Sequence, residues 1–303
     1  MDLSQLATSL GSTELRSAVM TASGTAGRGM ELAAYGDLAE LGAHVVKSLA
    51  PEPWAGNPAP RVAASGASMI NSVGLQGPGI AAWLSDDLPK LLEAKVKVVA
   101  SIWGRSVDEF SRAAEMLRGA DLLAIEVNVS CPNLESRNEI FAHSPASTQE
   151  VLSAVLTDLP KWAKLSPNCA NLVEIAQAAQ AGGATAVTLT NTLLAMAIDA
   201  EDRAPKLGAR RGGMSGPSLK PVALRAVYDI SEAHPSLPII GVGGIRSGVD
   251  AVEFIMAGAS AVQVGTASLE NPRSIWRIQR ELAAWMHKHG VSTINEIRGV
   301  AHG

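Results

Sequence analysis

The segment GVGGIRSGVDAVEFIMAGASAVQVGTASL (241–269) decides the fold. Two short apolar runs, PIIGVGG (238–244) and AVQVGTA (261–267), flank a helix-length stretch and each ends in small residues. A run that is apolar at nearly every position suits a strand buried on both faces, as in a parallel sheet covered by helices. The endings Gly243-Gly244 and Gly265-Thr266-Ala267 repeat one device after consecutive strands. Glycine lets backbone N–H groups approach a ligand closely, and a following helix N-terminus favours negative charge. The pair predicts a phosphate site in the loops after the last two strands, where barrels commonly hold one. Tight turns are the competing explanation, and the pattern leaves open which phosphate is bound. Lys220 and Arg246 are candidates to add charge there, although surface solvation is the expectation for each.

Further runs of the same kind are SAVMTAS (17–23), AHVVKSL (43–49), KVVASI (97–102), LLAIEVNV (122–129), KWAKLS (161–166) and AVTLTN (186–191). Helix-length segments lie between them, among them 80–94, 107–119, 145–159 and 171–183, several closed by Gly or Gly-Ala. Eight strands alternating with helices predict an α/β protein, a single (β/α)8 TIM barrel over residues 1–303. An open doubly wound sheet is the alternative, and the eightfold count favours the barrel. Three connections, 50–79, 130–145 and 192–216, are too long to be linkers. All follow strands and so belong to the C-terminal face, where they suggest a lid or a substrate pocket.

The composition of 47% hydrophobic and 18% charged residues allows a large core and argues against disorder. A net charge of −4 makes no case for nucleic acid or an anionic membrane surface. The N-terminal residues show no signal-peptide pattern, and no apolar stretch approaches the roughly 18 residues of a membrane helix. The two cysteines, Cys131 and Cys169, exclude a disulfide scaffold and an iron–sulfur cluster held by this chain alone. A reduced, cytoplasmic protein is the expectation.

The candidate chemistry lies at strand ends. Cys131, in NVSCPN (128–133), follows the fourth strand between Asn128 and Asn133. A lone cysteine is usually a small buried hydrophobe. This one, at a strand's C-terminal end before Pro132, reads instead as a proton-transfer group beside a polar substrate. Cys169 has no such setting and reads as structural. Lys47 ends the second strand and Lys164 lies within the fifth. A lysine in an apolar strand needs an anionic or polar partner, so both are expected at the barrel mouth rather than as snorkelling surface lysines. Asn71 and Asn191 join Asn128 and Asn133 in a ring of amides suited to a ligand rich in N–H and C=O groups, with independent loop caps as the alternative.

These motifs together resemble the soluble, class 1 dihydroorotate dehydrogenases, flavoprotein oxidoreductases of pyrimidine biosynthesis. The likeness runs from about residue 15 to 270 through ASGT (22–25), VVKS (45–48), GNPAPR (56–61), NSVGLQ (71–76), NVSCPN (128–133), AKLSP (163–167), TNTLLAMAID (190–199), GGMSGPSLKP (212–221), GVGGI (241–245) and VQVGTA (262–267). The resemblance implies FMN with its phosphate on Gly243, Gly244, Gly265 and Thr266. It implies flavin contacts from Ser23, Gly24, Lys47, Ser48, Ser101, Asn128, Lys164, Thr190 and Gly216. Dihydroorotate and orotate would meet Lys47, Asn71, Ser72, Val73, Gly74, Leu75, Asn128, Asn133, Asn191 and Thr192. Cys131 matches the class 1 base, which class 2 members replace by serine; with Lys47 and Lys164 it completes the catalytic set.

The ASGT, GLQ and MAID wording is similar to the NAD-linked 1B type, whose FMN subunit pairs with a second subunit carrying FAD and a 2Fe–2S cluster. A homodimer, or a heterotetramer with that subunit, is the corresponding expectation. The chain departs from the family pattern at Gly77, Thr190 and Ala195, which leaves room for a slightly altered pocket or acceptor loop. Two other readings stay open: a related FMN barrel acting on another pyrimidine-like ring, and a catalytically idle flavin- or phosphate-binding protein. The retained Cys131, Lys47 and Lys164 argue against idleness.

Overall fold

The apolar runs form the parallel strands of a barrel in a computed structural model that describes residues 3–130 and 140–303. The strands are β1 (Val19–Thr21), β2 (His44–Val45), β3 (Val98–Ile102), β4 (Ala124–Asn128), β5 (Lys161–Leu165), β6 (Ala186–Leu189), β7 (Ile239–Val242) and β8 (Ala261–Val264). They pair in the order β1-β8-β7-β6-β5-β4-β3-β2. The ring closes where Gly42 N donates to Val19 O at 2.9 Å and Thr21 N to Ala43 O at 3.3 Å. The predicted barrel is therefore the observed fold, and the open sheet is excluded.

Each strand turns one residue into the barrel floor: Met20, Val45, Val99, Ala124, Trp162, Ala186, Ile240 and Ala261 form one buried apolar cluster. A hairpin of Thr8–Leu10 and Thr13–Leu15 adds Leu10 and Leu15 to that cluster and plugs the N-terminal end. The alternate strand residues, such as Val98, Ile125, Ala163, Val187 and Val262, pack outward into the larger core beneath the helices.

The helices are α1 (Ile80–Asp86), α2 (Leu88–Glu93), α3 (Val107–Met116), α4 (Pro145–Ala154), α5 (Leu172–Ala181), α6 (Lys220–Ala233), α7 (Gly248–Met256), α8 (Ala267–Glu270) and α9 (Ser274–Lys288). Ser106, Ser144, Asn171 and Ser247 cap α3, α4, α5 and α7 through their side-chain oxygens.

Two expectations are corrected and a third is refined. The helix expected over 80–94 is broken into α1 and α2, because Pro89 has no N–H to continue the first segment. No α-helix follows β1; residues 22–43 run as turns with one 3-10 turn at Leu38–Glu40. There the Glu31 carboxylate takes the amides of Arg28 and Gly29 at 3.1 and 2.7 Å, stabilising the turn instead. The connections 50–79 and 192–216 are not merely loops. They fold together into an antiparallel sheet in the order Leu193–Ala195, Gly212–Ser215, Ser68–Asn71, Val62–Ser65.

His44 lies fully buried where β1 meets β2, its Nδ1 3.2 Å from Thr21 Oγ1. Burial pushes its imidazole down to about 4, against a smaller opposing pull from Glu31. A base whose folded value is depressed contributes stability that is complete above its unfolded value of 6.5 and is lost as pH falls towards 4. From this group, urea unfolding is expected to report about 2 kcal/mol less stability at pH 5 than at pH 7. In His44→Gln the same pH interval should show that much less loss.

Candidate functional site

The C-terminal ends of the strands surround a cavity of about 330 Å³. One wall holds the glycine pairs singled out in the sequence, but the two halves differ. Gly244 has φ +73°, and a Cβ there would lie 2.9 Å from both Gly216 O and Lys220 N, so loop packing itself demands glycine. At Gly265 an added Cβ would meet nothing nearer than Ala22 Cβ at 3.5 Å. Gly265 lines the cavity, and a Cβ there would make ordinary contact with Ala22 and Thr25. No loop or cap hydrogen bond among the described residues takes the amides of Gly244, Gly265 or Thr266 to a backbone acceptor.

The helix following β7 is not an open anion seat. The Asp250 carboxylate accepts from Arg246 N and Ser247 N, each at 2.8 Å, and completes a capping box with Ser247. Lys220 bonds the carboxylates of Asp250 and Glu253. Burial works against its charge, but these two partners outweigh it and hold the ammonium above its usual range. With a side chain only 23% exposed, Lys220 is an ion-pair residue rather than the solvated surface lysine expected. Arg246 is half-exposed and makes two 3.0 Å bonds to Glu270.

The structure brings most of the sequence-predicted residues to this one cavity. Of the residues expected to bind a cofactor, its wall includes Ser23, Gly24, Lys47, Ser48, Asn128, Lys164, Thr190 and Gly216; of those expected to bind substrate, Asn71, Val73, Gly74, Leu75, Asn191 and Thr192. Ser101 stands behind the wall, hydrogen-bonded to Ser48 Oγ at 2.9 Å. Ser72 is fully buried and also off the wall. Cys131 and Asn133, with loop residues 131–139, lie outside the described residues. Cys169 is half-buried, its thiol pushed up by burial and bonded to Ser166 O at 3.4 Å, in keeping with a structural role.

A continuous network orders the amides. Ser48 Oγ accepts from Asn128 Nδ2 at 3.3 Å. Asn128 Oδ1 accepts from Ser130 Oγ at 2.9 Å and from Asn191 Nδ2 at 3.2 Å, while Asn191 Nδ2 also donates to Ser130 Oγ at 2.7 Å. Both faces of Asn128 are thereby assigned, which fixes its oxygen and nitrogen. Asn71 belongs to a different set, donating to Gly213 O across the antiparallel sheet at 3.3 Å. Ser130 was missed in the sequence because an isolated serine beside a cysteine carries no periodic signal.

A second missed group lies one step deeper. Glu126 on β4, Thr188 on β6 and Gln263 on β8 are fully buried between the apolar floor and the cavity. Glu126 Oε2 accepts from Gln263 Nε2 at 2.8 Å and Thr188 Oγ1 at 3.2 Å. Glu126 Oε1 lies 3.9 Å from Lys164 Nζ, which donates to Ser23 Oγ at 3.2 Å. The signal was present: an acid inside an apolar strand run needs a partner, as a lysine does.

Among the described residues no cluster of His, Cys, Asp or Glu could hold a metal ion, and no helix is long and apolar enough to cross a membrane. Fold and site together define a (β/α)8 barrel whose C-terminal cavity joins a glycine-lined wall to a buried lysine and a pair of ordered asparagines. The chain belongs to the dihydroorotate dehydrogenase family, whose pattern matches residues 5–286. It is 46% identical over 288 residues to the dihydroorotate dehydrogenase B (NAD(+)) catalytic subunit of Alkaliphilus oremlandii, covering 94% of this chain and 95% of the relative. Proteins of the same name from Desulforudis audaxviator and Trichlorobacter lovleyi are 48% and 42% identical; these matches cover 95% and 97% of this chain and 94% and 97% of those proteins.

Ser130→Ala would remove both a donor to Asn128 and an acceptor for Asn191 in a buried setting. The expected destabilisation is about 1–3 kcal/mol, measured by urea unfolding.

Proposed function

We propose that this chain is a class 1B dihydroorotate dehydrogenase, oxidising dihydroorotate to orotate in pyrimidine biosynthesis with FMN as resident cofactor. The observation that carries the reading is the single cavity joining the glycine seat to Lys164 and the asparagines. The residues present fit FMN. The amides of Gly244, Gly265 and Thr266, with Gly243 beside them, suit its phosphate, and a Cβ at Gly265 would meet nothing nearer than 3.5 Å. Thr190 Oγ1, buried without a hydrogen-bond partner, is a polar group left for the ligand. Ser23, Gly24, Lys47, Ser48, Asn128, Lys164 and Gly216 complete the flavin wall, and Ser101 supports it through Ser48.

When bound, FMN supplies the hydride acceptor. The chain's own part is to hold dihydroorotate and move its proton. Cys131 takes the proton from C5 while the C6 hydrogen leaves as hydride. Lys47, Asn71, Val73, Gly74, Leu75, Asn128, Asn133, Asn191 and Thr192 orient the substrate's N–H, C=O and carboxylate groups, and Ser72 belongs to the same segment. Lys164 holds positive charge against the ring edge where electron density accumulates.

The names of the relatives, with "NAD(+)" and "catalytic subunit", support an NAD-linked complex for this chain as well. With two cysteines in the chain, FAD and a 2Fe–2S cluster would belong to a partner subunit, in a heterotetramer built on a homodimer. The working unit is one FMN-binding domain over residues 1–303, in the cytoplasm.

Purified protein is expected to be yellow, and anaerobic dihydroorotate to bleach its flavin band. A flavin that stays oxidised would remove the substrate. Cys131→Ala should slow the bleaching by roughly 10²–10⁴-fold, the scale of a positioned base; an unchanged rate would return Cys131 to packing. Gly265→Ala should fold with an unaltered melting temperature yet bind FMN at least about tenfold more weakly, by fluorescence titration, about 1.4 kcal/mol.

A further inference from the structure

We propose that Glu126 is the positioning residue for Lys164, holding its ammonium in place and aimed at the cavity from beneath. The inference rests on the FMN reading above and assigns a role to a residue that reading leaves unused. β4 and β8 stand opposite one another in the eight-membered ring, so the 2.8 Å bond from Gln263 to Glu126 spans the barrel. With Thr188 at 3.2 Å, two donors fix one carboxylate oxygen. The other, Oε1, has no hydrogen-bond partner and is the oxygen 3.9 Å from Lys164 Nζ.

Burial makes this pairing consequential. Glu126 is 0% exposed and Lys164 5%. An ammonium so far from water is costly without a counter-charge, and a carboxylate equally so. At 3.9 Å the pair is an ion pair rather than a hydrogen bond. The carboxylate therefore balances the charge without capturing an N–H. Of three ammonium hydrogens, Ser23 Oγ takes one, and the others are left for the cavity's ligand. Packing alone does not explain an acid here, since apolar residues of similar volume fill such a position at no loss of stability.

The test is a double-mutant cycle between Glu126→Gln and Lys164→Met, read as the midpoint potential of bound FMN under dye equilibration. Glu126→Gln keeps the shape and removes the charge. It should still bind FMN but disfavour the reduced flavin by about tenfold, a fall of about 30 mV for a two-electron couple. In the Lys164→Met background the same change should move the equilibrium less than about twofold, because the effect runs through the lysine. An unchanged or raised potential in Glu126→Gln, or an equal fall in both backgrounds, overturns the proposal. If Glu126→Gln does not accumulate, Thr188→Val removes one donor while leaving the charge. It should lower the potential in the same direction by about two- to threefold in the equilibrium, scaled to one lost hydrogen bond; no shift overturns the proposal. A wild-type protein that takes up no FMN defeats the cofactor reading instead, a result distinct from any of these.

Discussion

Eight strands closed into a ring leave an interior that side chains must fill, and here the filling changes from one inward position to the next. Along β4 the inward residues are Ala124, Glu126 and Asn128; along β5, Trp162 and Lys164; along β8, Ala261 and Gln263. The lowest level is wholly apolar and plugged by Leu10 and Leu15. The middle level is polar and internally bonded, and the uppermost opens into the cavity. A dry floor keeps water from reaching the buried charges from below, so Glu126 and Lys164 can satisfy one another. Everything chemical is confined to the rim because the floor leaves it nowhere else.

The roof is set by a second constraint, the close crossing of two long connections. A Cβ on Gly212 would lie 2.2 Å from Asn71 O, and one on Gly213 1.9 Å from Thr192 Oγ1. No side chain fits where these strands cross, so the glycines fix how Asn71 stands relative to Thr192. Asn168, just beyond β5, adds a clasp: it donates to Thr192 O at 2.9 Å and accepts from Leu194 N at 2.8 Å. The wall carrying Asn71 and Thr192 is thus tied both to the barrel and across its own sheet. Within the described residues this roof is a hydrogen-bonded sheet, not a freely hinged lid.

The barrel was legible because strands buried on both faces write themselves as continuous apolar runs, and eight such runs leave few alternatives. The glycine-lined wall of the cavity was legible because glycine pairs recur after β7 and β8. What the sequence hid depended on distance in the chain. The antiparallel sheet pairs residues near 70 with residues near 213, and neither partner shows strong alternation. The missing helix after β1 is a turn held by Glu31, whose bonds are local and leave no periodic trace. Glu126 was readable in principle, since the argument that drew attention to Lys164 applies equally to an acid in LLAIEVNV. Its partners on β6 and β8 come together only once the barrel closes. The placement of Cys131 and Asn133, outside the described residues, stays with the sequence.

At the glycine-lined end of the cavity the charged side chains are already paired. Lys220 is matched by Asp250 and Glu253, and Arg246 by Glu270, so the nearby cations are already balanced by carboxylates. An anion arriving there gains little from long-range attraction, consistent with a chain of net charge −4. What it meets is a set of amides in fixed directions, which reward a tetrahedral oxygen cluster at close range more than charge at a distance. Close range explains the unequal glycines. Gly244 is small so that the loop from β7 can pack against Lys220 and Gly216, which holds the seat's shape. At Gly265 a Cβ would make only ordinary contact with Ala22 and Thr25, so packing does not demand glycine there. One pattern in the sequence thus covers two different positions, of which Gly244 is the one fixed by packing.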